Sequence, residues 1–278
     1  MSYLFTIPLL ALAFVSNAYA ADYHSPRAAS LGGAGHAAPL LNDAIYLNPA
    51  MIAMLPAYSV SVSHESISGP DNTEPQALVQ NASIQDGTNP VFSAGIGYTR
   101  KTYGREVGFG VASRISQQYS AGVGGRFLFG SDSRNSAMDT SISGAGEPID
   151  WLQTGFIVDN LVENVKLTNG WNQYREFTLG LKANVMKMLF LYVDPHVTPS
   201  KPGDTFGWEA GFELPLMSDL FLRGGMNKNS FQPALGGYGH GHAFGLGMAF
   251  PRISLDLAVT RTYEPARTNS LLFSVTIL

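Results

Sequence analysis

The sequence has no cysteine. That excludes disulfides, zinc–thiolate centres and an acylated N-terminal cysteine. Beyond the N-terminus it has no run of about 18 apolar residues, so helical membrane spans are excluded. Charge is scarce as well. Only 14% of the 278 residues are charged and the net charge is −4, which leaves no electrostatic footprint for nucleic acid. Walker, dinucleotide and Gly-x-Ser-x-Gly motifs are absent, and the glycines alternate as strand residues instead of opening a helix. A triad assembled only in space leaves no motif, but nothing here points to an enzyme, and no cofactor is expected.

What is present is 45% hydrophobic residues, with 30 Gly, 12 Tyr and 16 Phe, and a mean hydropathy of +0.04. Two classes fit: a β-rich secreted protein and a membrane β-barrel. Residues 1–20 read as an export signal, with an apolar core over 4–15 and a small-x-small site at Ala18-Tyr19-Ala20. No Lys or Arg precedes Arg27. About a dozen apolar residues are too few to span a bilayer, so cleavage after Ala20 is expected.

From Tyr58 onward apolar and polar residues alternate with period two. Tyr58, Val60 and Val62 oppose Ser59, Ser61 and Ser63, and the chain closes on Leu271, Phe273, Val275 and Ile277 opposing Ser270, Ser274 and Thr276. Between them, strands are expected near 92–99, 106–112, 119–129, 151–158, 177–185, 189–197, 206–214, 220–223, 244–250 and 253–260. Residues 69–90 read as a polar loop and 100–105 as a short charged turn. The Ser- and Gly-rich stretch 130–147 reads equally as a long loop or a weak strand pair. A β-sandwich also alternates, but two features favour a transmembrane barrel. The non-apolar face is often Gly or Ser, unlike a solvated surface, and tight connections (186–188, 215–218, 251) alternate with long ones (198–205, 229–241, 263–269). Roughly 220 residues at about 18–20 per strand and connection give about 12 antiparallel strands, or 10 or 14 if residues 130–147 are misread. Leu278 stands where such barrels carry a terminal aromatic.

Residues 31–55, rich in Gly and Ala and nearly uncharged, precede this series and suggest a plug in the lumen. The ordered residues Leu31, Gly32, Gly33, Gly35, Asp43, Asn48, Pro49 and Ala50 resemble the N-terminal hatch of the FadL-type outer-membrane barrels and of the related PorV-like barrels. FadL-type members transport long-chain fatty acids and aromatic hydrocarbons, are longer, and carry more strands. The resemblance covers the hatch and the pattern of the last four strands. It implies a plug at 21–57, a barrel at 58–278, and the outer membrane of a Gram-negative bacterium.

Within such a barrel, alternation points Glu106, Lys182, Glu209, Glu213, Arg223, Arg252 and Asp256 inward. Buried charges need partners, so these are expected to pair with one another and with Arg27, Asp43 or Asn48. They either hold the hatch or guide a ligand headgroup. Asn48-Pro49 suits turn work. Outer loops offer Leu78, Val79, Phe231, Leu235 and Tyr238 as a sparse apolar pocket. His240-Gly241-His242 has metal-like spacing but no third ligand, and it reads as incidental loop histidines. Strand 189–197 is apolar on both faces (Leu189, Leu191 and Val193 against Phe190 and Tyr192), which suits barrel lining behind the plug or a contact in a homo-oligomer. Two functions stay open. One is passive uptake of hydrophobic molecules such as long-chain fatty acids. The other is a structural barrel that self-associates or organises lipid or partner proteins.

Overall fold

The computed structural model describes residues 23–69, 75–89, 91–102, 104–130, 136–232 and 235–278. The expected signal at 1–20 lies outside them. Fourteen antiparallel strands form one closed barrel. The first seven are β1 (Tyr58–Ser68), β2 (Pro75–Asp86), β3 (Ser93–Lys101), β4 (Gly104–Arg114), β5 (Tyr119–Gly130), β6 (Ala137–Ile149) and β7 (Leu152–Asp159). The rest are β8 (Glu176–Val185), β9 (Leu189–Val197), β10 (Phe206–Pro215), β11 (Leu220–Gln232), β12 (Gly237–Ala249), β13 (Ile253–Thr262) and β14 (Thr268–Ile277). Each pairs with its sequence neighbours, and β1 closes on β14 with Val60 opposite Ile277 and Ser68 opposite Asn269. Residues 58 and 277 therefore share one end. The connections β7–β8 and β9–β10 lie at the other.

Fourteen strands replace the expected 12 because two segments conceal their alternation. In β2 the inward residues Asn81, Ser83 and Gln85 are buried while Leu78 and Ile84 are exposed. The exposed Gln80 and Ala82 interrupt the apolar face, so the sequence reads as loop. In β6 the buried face is Asp139, Ser141 and Ser143, against Met138 and Ile142 outside. The outward face of β6 also carries Thr140 and Gly144, which break the apolar run. The charged stretch 100–105 is mostly strand as well: β3 runs through Lys101 and β4 starts at Gly104. His240 and His242 lie in β12 instead of a loop. His240 stacks on Tyr263, and His242 Nδ1 lies 3.1 Å from the Tyr263 hydroxyl.

Elsewhere the period-two pattern holds. Leu257 and Phe273 are exposed while Asp256 and Ser274 are buried. This is the two-faced patterning of a membrane barrel. The ladder is interrupted once without a change of register. Between β8 and β9, Thr178 pairs with His196 and Leu181 with Val193, but the two intervening pairs are missing. Both would need an N–H from residue 195, which is proline.

Residues 23–57 contain little regular structure. Helix α1 (Pro26–Ser30) is capped by Ser25, whose Oγ accepts from Ala28 N. A 3-10 turn at Leu41–Asp43 leads into α2 (Ala44–Leu47), and a second at Pro49–Met54 leads to β1. This segment is almost wholly buried. It touches strands on opposite sides of the ring: Ala50 meets Gly122 on β5, and Leu31 meets Gly225 on β11. A seven-residue helix, α3 (Val165–Trp171), sits in the β7–β8 connection.

Candidate functional site

The approach of residues 23–57 to the wall explains their glycines and alanines. At Gly32, φ is +74°, and a Cβ would fall 2.5 Å from Met226 N on β11. Opposite it, a Cβ on Gly225 would fall 2.0 Å from the Leu31 carbonyl carbon. No larger residue fits either position. Gly33 and Gly35 share the positive-φ turn that follows.

Asn48-Pro49-Ala50 does more than turn the chain. Asn48 is fully buried. Its Oδ1 accepts from Ala50 N at 3.1 Å. Its Nδ2 donates to His36 O at 2.8 Å and to Gly144 O on β6 at 3.3 Å. Ser120 Oγ on β5 donates to Ala50 O at 2.7 Å, and Ala50 N lies 2.9 Å from Ser143 Oγ on β6. The motif thus fastens the segment to the β5–β6 wall through groups that would otherwise be unpaired in a buried place. Asp43 ends the first 3-10 turn.

Charged side chains tie the segment to the opposite wall. Arg223 Nε donates to Glu213 Oε2 at 2.6 Å and its Nη1 to Asp256 Oδ1 at 2.5 Å. Arg27 Nε lies 3.4 Å from the same Glu213 oxygen, and its Nη2 donates to the Tyr192 hydroxyl at 2.9 Å. Four strands and α1 therefore meet in one buried network. Asp194 Oδ2 on β9 accepts from Gly35 N at 2.7 Å and His36 N at 2.8 Å, and lies 2.8 Å from His36 Nδ1. Burial alone would lower the His36 pKa, but the Asp194 hydrogen bond and charge outweigh it and lift it to about 9. His24, half-buried, has no such partner among the described residues. Burial lowers it to about 4 against the pull of Glu209, so it is neutral near pH 7.

Among the expected inward charges, Glu106 is held by Lys101 at 2.9 Å. Glu209 Oε2 lies 3.1 Å from His196 Nδ1. The Lys182 ammonium sits 4.9 Å over the Phe190 ring. Arg252 departs from the expectation. It is exposed in the turn before β13, because the strand starts at Ile253 and not before it. Sequence reasoning missed Lys101, Arg126, Asp139, Asp194 and His196. Arg126 Nε donates to Asp139 Oδ2 at 2.7 Å. Asp139 lay in unassigned chain. Asp194 and His196 are alternate residues of β9, and period two alone places them with Tyr192.

The expected apolar pocket does not form as one group. Leu78 is exposed, while Val79 packs on Tyr23 and Ile67. Leu235 lines a separate cavity with His24 and Glu65. Phe231 and Tyr238 do come together, with ring centroids 5.3 Å apart, and join Leu128, Leu167 and Trp171 in a buried cluster under α3. Outside that cluster is an open groove of about 570 Å³, lined by Phe127, Leu128, Phe129, Ala137, Met138 and Val165. Two smaller cavities, of about 60 Å³ and 40 Å³, differ from it: the first is bounded about equally by polar and apolar groups, the second mainly by polar ones, and both touch His24 and Gly33. On β9, Tyr192 and Phe190 pack against Leu31, Ala34 and Ala38. The second apolar face of that strand is covered by the N-terminal segment.

No protein-family model matches the chain, and no curated protein matches it in sequence. In fold it is similar to the Pseudomonas putida toluene transporter TodX, with a TM-score of 0.67 at 9% identity over 94% of this chain and 98% of that one. The Ralstonia pickettii toluene transporter TbuX aligns with a TM-score of 0.65 at 10% identity, over 92% of this chain and 98% of that one. The CymD monoaromatic hydrocarbon channel aligns with a TM-score of 0.65 at 10% identity, over 91% and 96%. At such identities the likeness establishes a shared fold, the closed barrel of these channels. It points the same way as the FadL-type resemblance of residues 31–50.

Proposed function

We propose that this protein is an outer-membrane barrel for passive uptake of small hydrophobic molecules, with residues 21–57 as its plug. The observation that carries the reading is the groove beside α3. Its surface is mostly apolar, with Ser136, Asn164 and Lys166 also among its lining residues. It lies on the outward side of β5 and β6, near the end away from residues 58 and 277, and Leu128 links it to the buried Leu128–Leu167–Trp171–Phe231 cluster. An apolar recess with few polar groups is what a hydrocarbon or an acyl chain needs for capture. The shared fold with toluene and monoaromatic hydrocarbon channels supports the same class. Monoaromatic hydrocarbons and long-chain fatty acids are the two substrates to compare.

Val165 tests this reading, since it is 71% exposed at the lip of the groove and opens α3, where an acidic residue is tolerated. Val165→Asp is expected to keep the barrel folded and to cut uptake of labelled toluene or oleate by cells at least several-fold. Unchanged uptake of both would overturn the groove as the capture site. A structural barrel is the second reading, favoured by the small cavities and the packed lumen. It predicts no uptake above a strain lacking the protein.

A further inference from the structure

On the outward face of β3 and β4, Arg100 stands directly opposite Arg105. Both are exposed. Neither has a charged partner among the described residues, and like charges directly opposite one another destabilise a sheet. The nearest carboxylate in the register, Glu106, faces inward and is held by Lys101. The arginines belong to one cross-strand row, His64–Gln80–Arg100–Arg105–Phe129, running over β1 to β5. The outward row below it, toward the end carrying residue 58, is Val62–Ala82–Tyr98–Val107–Phe127 and wholly uncharged. Within one step along the wall, an apolar band gives way to a pair of guanidinium groups. Between them and the exposed Phe129 ring is an open recess of about 360 Å³, also bounded by Thr102, Gly104 and Gly130.

A phosphate group accounts for these features together. Two guanidinium groups in register can each donate to it, and charge-assisted bonds of this kind are strong and geometrically specific. A phosphate attached to acyl chains would lay those chains along the apolar row and cover Tyr98 and Val107. We propose that Arg100 and Arg105 bind the phosphate of a phosphorylated glycolipid of the outer leaflet, of the lipid A class. The proposal rests on the outer-membrane placement above, since only there does this end of the wall meet such a lipid.

The test uses the purified, folded full-length barrel in neutral detergent, titrated with bisphosphorylated lipid A and followed by native mass spectrometry. The wild type and Arg267→Gln, a control in an exposed connection at the same end, are expected to bind alike. Arg100→Gln with Arg105→Gln is expected to weaken binding about 10-fold or more. Arg105→Glu makes the cross-strand pair attractive, so it should hold the barrel folded, as read by heat-modifiable migration, and still lose the lipid. Equal binding by the double variant, or by dephosphorylated lipid A, would overturn the proposal. So would displacement of the lipid by equimolar inorganic phosphate, which would mark a free-anion site. Because the readout is lipid affinity, loss of hydrocarbon uptake leaves this site standing. Membrane fractionation tests the placement separately.

Discussion

Arg223 holds two buried carboxylates at once, and Arg27 reaches the same Glu213 from the N-terminal segment. Removing the guanidinium leaves Asp256 buried with only the Ser254 hydroxyl at 3.3 Å and Glu213 with the more distant Arg27 and Tyr192. Arg223→Met is therefore expected to lower stability by roughly 3–5 kcal/mol, measured as a drop in the urea unfolding midpoint in lipid vesicles. His36 gives a pH dependence of definite sign. Its pKa is raised from 6.5 to about 9 in the folded protein. Its contribution is thus fully present below about pH 6.5 and lost as pH rises through about 9. Between pH 7 and 10 the N-terminal segment should become easier for protease to cut, and His36→Gln should flatten that change. A profile unaltered by the substitution would sink the assignment. Period two sufficed to place Glu106, Glu209, Glu213, Arg223 and Asp256 on the inner face. It could not show that Arg252 sits in a turn, nor choose partners, because pairing depends on the stagger between strands that are distant in sequence.

At the scale of elements, Pro195 is the one residue that breaks a ladder without shifting it. Its side chain lies on the outward face, half-buried, so a β-branched residue fits there. Pro195→Val restores the missing donor and should stabilise the barrel by about 0.5–1.5 kcal/mol. Slower amide exchange at residue 179, with protection of the new amide at 195, would accompany it. No gain in the unfolding midpoint would show that the seam is held by other contacts. Strands were legible where large apolar residues alternate with Gly or Ser, as in β13 and β14. They were illegible in β2 and β6, where a hidden lumen wall of Asn, Ser and Gln imitates a loop. Residues 159–175 read as a polar connection with some helical character, and the structure places α3 there. The importance of α3 comes from Leu167 and Trp171 packing on Leu128 and Phe231, a contact that spans three separate stretches of chain.

For the whole molecule, the proposed plug is the feature with the clearest electrical signature. Deleting residues 21–55 should raise single-channel conductance in planar bilayers well above that of the intact chain, and equal conductance would refute the plug. Its place between the walls also bears on how the protein is made. The segment meets Gly122 and Gly225 at backbone distance, leaving no clearance for it to thread past them afterwards. The ring is sealed by β1 against β14, the first strand and the last. Residues 23–57 precede β1, and the seal needs β14 (Thr268–Ile277). On the plug reading proposed above, the sheet curls around a segment already in place, and that segment serves as the mandrel on which the barrel is wound.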